Sequence, residues 1–327
     1  MERAVILEGA RTPIGRFLGS LAEVPTVDLG IAATEGALRR AGVEPGAVDL
    51  LVYGHARQAG NGPNTARQVA YRSGIPQETP AFTVNMACGS GTKAVETAAN
   101  EIALGNAQVV VAGGMENMSR TPAILDQMRT GYRMGNATVY DGMYKDGFRD
   151  PLCDLVMGET AENLARKYEI PRGEQDEFAL ASQRKAEAGK ARRAKEIVPV
   201  EVPGKKGSTI TFAEDEHPRA DTTLDILEKL RPSFSEDGTV TPGNSSGITD
   251  GAASLVVMSE SRAKTEGREP LARIVAAASA GVDPAYMGIG VVPAVRKVLE
   301  KTGLSLSDFE VIEINEAFAA QVLAVDR

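Results

Sequence analysis

The stretch Ala81–Gly105, AFTVNMACGSGTKAVETAANEIALG, decides how the rest of the sequence is interpreted. Its first residues, Phe82–Met86, form a short apolar run that is typical of a strand. The later residues predict a helix with one buried face, because apolar side chains recur every three or four positions: Ala94, Val95, Ala98, Ala99, Ile102 and Ala103. Cys88 lies where this strand meets the helix. Gly89 and Gly91 follow it, so the turn can be tight and another molecule can approach the backbone closely.

Two interpretations of Cys88 compete. A lone cysteine in a globular protein is most often a small, buried hydrophobic residue. At a helix start, however, unpaired N–H groups and the positive end of the helix favour the thiolate, which is the nucleophilic form. The neighbouring glycines and the polar Asn85 are also unlike a packing position. We therefore predict that Cys88 is reactive.

The regions around this stretch alternate between strands and helices. The predicted strands are Ala4–Leu7, Val48–Tyr53, Gln108–Ala112, Ala252–Met258 and Leu271–Ala278, and the predicted helices are Val27–Ala41, Asn64–Ser73 and Val292–Lys301. This order predicts an α/β fold with a largely parallel sheet that is covered on both faces. Functional groups in such sheets collect at the carboxyl ends of the strands, where Cys88 lies.

The middle of the chain has a different composition. Residues 120–247 are rich in turn-forming residues and predict an inserted, loop-dominated domain that closes over a ligand. The predicted domains are therefore an N-terminal half (1–119 plus 248–270), the inserted domain (120–247) and a partial C-terminal half (271–327).

A faint internal repeat relates Leu38–Ala56 to Leu299–Ala317. Each copy has a helix end, a glycine, an acidic turn and a predicted buried strand, and Gly54 aligns with Asn315. On this alignment the counterpart of Cys88 would fall beyond Arg327. The repeat therefore predicts that a second strand–turn–helix corner is missing from the sequence.

Composition excludes several classes of protein. The 327 residues are 43% hydrophobic and 24% charged, which is ordinary for a globular protein of two or more domains. The net charge of −8 argues against a general nucleic-acid binder. The apolar runs are too short to cross a bilayer, and no targeting peptide is recognised, so we expect a cytoplasmic protein. Two cysteines and two histidines show neither metal-ligand spacing nor a disulfide framework.

Several stretches, in their order along the chain, resemble one family, the thiolases. The resembling segments are Thr12–Gly15, Asn85–Lys93, Gly113–Ser119 (GGMENMS), Met157–Leu164 (MGETAENL), Glu216–Phe234, Asp237–Ala253, Asp283–Ala294 and Asn315–Ala324 (NEAFAAQVLA). The resemblance implies a layered α/β fold of two similar halves with an inserted loop domain. It also implies reversible acyl transfer between coenzyme A and the carbon of an acyl-CoA, without a separate cofactor, in a homodimer or homotetramer.

The resemblance assigns roles to individual residues. Cys88 matches the acyl-accepting nucleophile, and Asn315 matches the residue that holds a water in one oxyanion hole. Arg219 and Ser246 match residues that bind coenzyme A. Three further residues match the apolar lining near the thioester: Met157, Met287 and Phe318. Without the family, Arg219 would be read as a surface charge, Ser246 as a turn residue and the methionines as core filling.

The sequence departs from the family pattern in one important respect. The family's base machinery is a histidine in a Gly-His-Pro corner and a second cysteine before a glycine run, and neither motif occurs here. His55 and His217 lie elsewhere, and packing or surface roles are expected for both. Cys153 lies in the inserted domain, where the resemblance implies no base. The leading hypothesis is therefore a thiolase whose turnover is badly impaired in this polypeptide.

Two alternatives remain at the level of the sequence. The first is a non-catalytic member that binds acyl-CoA or acts as a scaffold, and that would bind thioesters without turning them over. The second is a ketoacyl synthase of the same fold, which would depend on an acyl carrier protein. The NEAF and GGMENMS stretches argue against the second alternative.

Overall fold

The computed structural model describes residues 1–327. Its strands are β1 (Ala4–Arg11), β2 (Gly15–Arg16), β3 (Leu50–Gly54), β4 (Ala81–Val84), β5 (Val109–Asn117), β6 (Ala123–Ile124), β7 (Tyr140–Asp141), β8 (Arg149–Asp150), β9 (Leu155–Val156), β10 (Val200–Pro203), β11 (Thr209–Phe212), β12 (Thr249–Ser259) and β13 (Ala272–Arg273). Its helices are α1 (Thr26–Ala41), α2 (Thr65–Arg72), α3 (Ser90–Ala103), α4 (Met157–Lys167), α5 (Arg172–Ala188), α6 (Lys190–Arg193), α7 (Leu224–Glu228), α8 (Glu260–Thr265), α9 (Val291–Thr302) and α10 (Ala319–Asp326). None of these helices has the length and hydropathy that a bilayer span requires.

The chain forms two compact units. The first unit comprises residues 1–143, 191–217 and 248–275, and the second comprises 144–190, 218–247 and 276–327. The division into two halves and an inserted domain stays a prediction, because compactness alone does not fix the boundaries of a family's domains.

A seven-stranded sheet organises the first unit. Its order is β13-β1-β12-β5-β3-β4, and β2 pairs with β12. Only the pairings of β3 with β4 and with β5 are parallel, whereas β12 pairs antiparallel with both β1 and β5. The predicted largely parallel sheet is therefore wrong in this respect and the sheet is mixed. The long chain segment between β5 and β12 allows β12 to enter the sheet in the opposite direction. The local hydrophobic pattern does not indicate the direction of a strand.

Helices cover both faces of this sheet. Side chains alternate along β3, so that Leu51 and Tyr53 pack on the side of α1 and α2, whereas Leu50 and Val52 pack on the side of α3. The buried hydroxyl of Tyr53 lies 2.6 Å from the hydroxyl of Ser254 and donates to Gly30 O at 3.1 Å. Burial on both faces explains why β3 is apolar throughout.

The second unit is mostly helical. Helices α4 and α10 share an apolar cluster that includes Ala161, Ala320 and Phe318. Glu162 of α4 is buried, and its Oε1 accepts hydrogen bonds from the backbone N–H groups of Thr239 and Val240, both at 2.8 Å. This carboxylate joins α4 to a segment that has no regular structure.

Two predicted strands differ from the structure. Only Ala272 and Arg273 of the predicted strand Leu271–Ala278 form a ladder, with β1. The predicted strand of the second repeat copy, after Phe309, has no strand structure, and Val311 is 80% exposed. In both places the apolar pattern is present, but no neighbouring strand supplies hydrogen-bond partners along the full segment.

Candidate active site

Cys88 lies at a tight corner between β4 and α3 and is exposed to solvent. The residue before it, Ala87, has a φ of +46°, a left-handed conformation that costs a residue with a Cβ about 1–2 kcal/mol. Gly89, where the sequence predicted the conformational freedom to be needed, has an ordinary φ of −83°. The strained position of the corner is therefore Ala87.

A serine closes the corner from the helix side. The Ser90 hydroxyl donates to Ala87 O at 2.7 Å and accepts from the Met86 N–H at 2.8 Å. Ser90 is buried, so little water competes for these two bonds. The result is a short loop whose backbone is fixed on both sides of Cys88.

Two glycines beside the corner have different roles. A Cβ at Gly54 would lie 2.5 Å from the carbonyl carbon of Ser90 and 2.7 Å from the Gly91 nitrogen. Only a glycine there allows the end of β3 to approach the first turn of α3. A Cβ at Gly91 would meet nothing within 4 Å, so this position leaves open space.

The carboxyl end of β3 carries a buried histidine. His55 Nδ1 lies 3.0 Å from Thr65 Oγ1, and Nε2 lies 3.3 Å from Glu116 Oε1 without the alignment of a hydrogen bond. The sequence predicts a packing or surface role for His55, and the residue is 1% exposed. Its neighbour Glu116 lies in the middle of the GGMENMS stretch, but the sequence did not predict it as a site residue.

The other six predicted residues belong to the second unit. Three of them lie in one group of loops: Ser246, Asn315 and Phe318. The Ser246 N–H donates to Ala317 O at 2.8 Å, and Phe318 forms a bridge with Ser245 just before α10 begins. Ser246 and Asn315 are exposed. The backbone thus brings the CoA-binding candidate and the oxyanion candidate to the same part of this unit.

The predicted apolar lining is distributed over three elements of the second unit. The ring of Phe318 packs edge-on against Phe234, with centroids 6.1 Å apart. Met157 is the first residue of α4, and Met287 lies in the short helical segment Pro284–Gly290. That segment is joined to α4 by a hydrogen bond from Asn163 Nδ2 to Ala285 O at 3.1 Å. All three predicted side chains are half-buried.

Arg219 has an exposed side chain. Its backbone N–H donates to Gln183 Oε1 on α5 at 2.8 Å, and its carbonyl accepts from the Thr222 hydroxyl at 2.9 Å. The backbone is therefore held in place while the guanidinium points to a wet surface. This placement suits both a surface charge and a contact to a phosphate.

Two aspartates of the first unit, Asp250 and Asp215, have pKa values shifted in opposite directions. Burial raises the pKa of Asp250, and this effect outweighs the hydrogen bonds that its carboxylate accepts from Ser119. At Asp215, burial opposes ionisation, but hydrogen bonds from the Arg11 guanidinium and the Ile14 N–H lower the pKa overall. Arg11 and Asp215 are 204 positions apart, so this ion pair fixes a long-range connection within the unit.

Comparisons with known proteins agree on one family. The model of the thiolase N-terminal domain matches residues 4–261, and the model of the thiolase C-terminal domain matches residues 268–327. A protein named acetyl-CoA acetyltransferase from Pseudomonas aeruginosa is 50% identical, over 100% of this chain and 84% of its own length. One of the same name from Allochromatium vinosum is 48% identical, over 100% of this chain and 83% of its length.

Solved structures extend the similarity to the fold. The acetyl-CoA acetyltransferase of Bacillus anthracis superposes with a TM-score of 0.96 at 46% identity, covering 100% of this chain and 83% of the other. The human mitochondrial 3-ketoacyl-CoA thiolase gives a TM-score of 0.95 at 41% identity, covering 99% and 83%. The predicted layered α/β fold class is thereby confirmed.

Proposed function

We propose that this chain, which belongs to the thiolase family, takes an acyl group from an acyl-CoA onto Cys88 and exchanges it with coenzyme A or with the carbon of acetyl-CoA. The observation that carries the proposal is the exposed thiol at the start of α3, held by a left-handed residue before it and by Ser90 after it. The names of the similar proteins support the same chemistry.

In the first step, Cys88 Sγ attacks the carbonyl carbon of the thioester. The new carbon–sulfur bond forms while the bond to the sulfur of coenzyme A breaks, so coenzyme A leaves and carries away the electron pair. A thiolate suits this exchange because it both attacks and leaves readily. The acyl group then stays covalently bound to Cys88 until the acceptor reacts with it.

The other site residues receive roles in the same proposal. Asn315 holds a water that stabilises the enolate-like charge of the carbon acceptor. Arg219 and Ser246 bind coenzyme A, whose phosphates suit a guanidinium on an exposed surface. Met157, Met287 and Phe318 form the apolar wall near the acyl group. Coenzyme A is a substrate here, and the chemistry calls for no further cofactor.

The second half of the reaction needs a base to deprotonate the acetyl carbon or the thiol of coenzyme A. The family's histidine and second cysteine motifs do not occur in these 327 residues. We therefore propose that this polypeptide forms the acyl-enzyme but completes few turnovers. Turnover comparable to that of a complete thiolase would refute this part of the proposal.

The test is an intact-mass measurement after brief exposure to acetyl-CoA. We expect one acetyl adduct on the unmodified chain and on Cys153→Ser, and none on Cys88→Ser. An adduct that persists in Cys88→Ser contradicts the assigned nucleophile. Binding of acetyl-CoA by the unmodified chain without any adduct would support the non-catalytic alternative instead.

A further inference from the structure

Asn85 links the Cys88 corner to the loop that follows β3. Its Oδ1 accepts the N–H of Ala87 at 3.0 Å, which closes a local turn across Met86. Its Nδ2 donates to Ala56 O at 3.0 Å, on the loop that follows β3. Asparagine is suited to this position because its carbonyl can mimic a turn of the backbone while its amide reaches a second partner.

The loop after β3, which accepts the hydrogen bond from Asn85, is itself held by Glu116. Glu116 on β5 accepts the N–H of Ala56 at 3.0 Å and that of Arg57 at 3.2 Å. The buried imidazole of His55 lies 3.3 Å from the same carboxylate, and the backbone N–H of His55 donates to Val84 O at 3.1 Å, directly before Asn85. Three elements, β3, β4 and β5, therefore meet in one polar cluster under the corner.

These contacts form a continuous path. It runs from the Glu116 carboxylate to the Ala56 N–H, from Ala56 O to the Asn85 amide, and from Asn85 Oδ1 to the Ala87 N–H. Its last member is the strained residue of the corner, with a φ of +46°. A strained residue persists only where its surroundings over-determine it. The cluster provides that support, and neither Asn85 nor Glu116 has another evident use in the acyl transfer.

We propose that Asn85 is a positioning residue for the Cys88 nucleophile, and that Glu116 acts on the same turn through Ala56. The inference rests on the proposed role of Cys88. Asn85 holds Ala87 in its left-handed conformation, which directs Sγ away from the packed side and toward the incoming thioester. Without Asn85, a fraction of the molecules loses the left-handed conformation at Ala87, and Sγ is less often oriented toward the incoming thioester.

The expected effect is moderate because Asn85 is exposed and water replaces part of what is lost. We expect Asn85→Ala to slow the chemistry at Cys88 about fivefold, the factor that one net hydrogen bond is worth. Asn85→Ser restores most of the rate, because a serine hydroxyl makes the same turn more weakly. Glu116→Gln slows it about twofold, since one of the two acceptor oxygens remains.

The experiment uses the 327-residue chain and two probes. Iodoacetamide alkylation of Cys88 is followed by peptide mass, which separates it from Cys153. Single-turnover transfer from acetyl-CoA is followed over a range of concentrations. We expect the limiting rate to fall and the half-saturating concentration to stay constant, because Asn85 contacts the turn. Asn106→Ala is the matched control. Asn106 lies after the end of α3, and its side-chain amide donates only to Glu101 Oε2.

The outcomes separate this inference from the proposed function. Slower alkylation in Asn85→Ala, with rescue in Asn85→Ser, supports the positioning role. If acetyl-CoA leaves no adduct on any variant, that result overturns the proposed function but leaves the positioning role intact. Rates equal to those of the unmodified chain in both assays overturn the positioning role. Should Asn85→Ala fail to fold, Glu116→Gln decides: an unchanged rate at Cys88 in that variant also overturns the inference.

Discussion

Replacing Gly54 with alanine tests how the nucleophile corner is packed against the sheet. The new Cβ would lie 2.5 Å from the Ser90 carbonyl carbon and 2.7 Å from the Gly91 nitrogen, and both are backbone atoms that cannot rotate away. Such overpacking costs about 1–3 kcal/mol. Alanine recovers about 0.4–1 kcal/mol by restricting the unfolded chain. We therefore expect a net loss of roughly 1–2 kcal/mol in the free energy of unfolding.

The matched control for this change is Gly91→Ala, on the first turn of α3. Its Cβ would meet nothing within 4 Å, and alanine favours a helix over glycine by about 1 kcal/mol. Urea unfolding should therefore show Gly54→Ala destabilised and Gly91→Ala equal to or more stable than the unmodified chain. Because the clash pushes on the turn that follows Cys88, alkylation of this thiol should also slow in Gly54→Ala. Equal stability of Gly54→Ala and the unmodified chain would refute the packing argument.

Three further changes test the charged groups. The raised pKa of Asp250 contributes stability that is fully present below the unfolded value of about 3.9 and is lost as the pH rises through the folded value. Urea titrations should therefore show that Asp250→Asn loses less stability than the unmodified chain as the pH rises above about 3.9, and an equal loss would contradict this. The lowered pKa of Asp215 beside Arg11 contributes stability that is present above about pH 3.9 and is lost as the pH falls through the folded value. Asp215→Asn should therefore show a smaller loss of unfolding free energy with falling pH on the acid side. An unchanged slope of unfolding free energy against pH would contradict this. In Glu162→Gln the amide oxygen can keep the two bonds to Oε1, but the buried NH₂ faces the Thr239 N–H in place of Oε2 at 3.1 Å. This change should lower the melting temperature through a loss of about 1–3 kcal/mol, whereas Glu101→Gln, whose carboxylate accepts an exposed hydrogen bond from Asn106, should have little effect.

Most helices and strands of the first unit could be predicted from the sequence, because their signals are local. The helix predicted over Val27–Ala41 is α1, and Gly42 ends it in the left-handed conformation that the glycine signal indicates. The strand predicted over Val48–Tyr53 is β3, within two residues at its start. The direction of β12 could not be predicted, because pairing across more than 130 residues leaves no trace in the hydrophobic pattern.

The candidate site was predictable only in part. A cysteine between an apolar run and a helical pattern identifies the corner, and Asn85 two residues before Ala87 is a recognisable turn signal. The strain at Ala87 was not predicted, since the sequence pointed to the glycines after Cys88 as the residues that allow a tight turn. Nor was the support from Glu116, which is 31 residues from Asn85 and meets it only through the loop after β3. The roles of the residues in the second unit stay predictions.

The two copies of the internal repeat show what a sequence pattern does and does not determine. In the first copy, Leu50–Gly54 forms a central strand because β4 and β5 pair with it on both sides. In the second copy, the corresponding residues Val311–Ile314 are apolar except for Glu313, and they adopt no strand and leave Val311 and Ile312 exposed. The apolar pattern gives both segments the same tendency, but a strand also needs neighbours that accept and donate hydrogen bonds along its length. In this structure β3 has strands on both sides, whereas no strand pairs with the segment after Phe309.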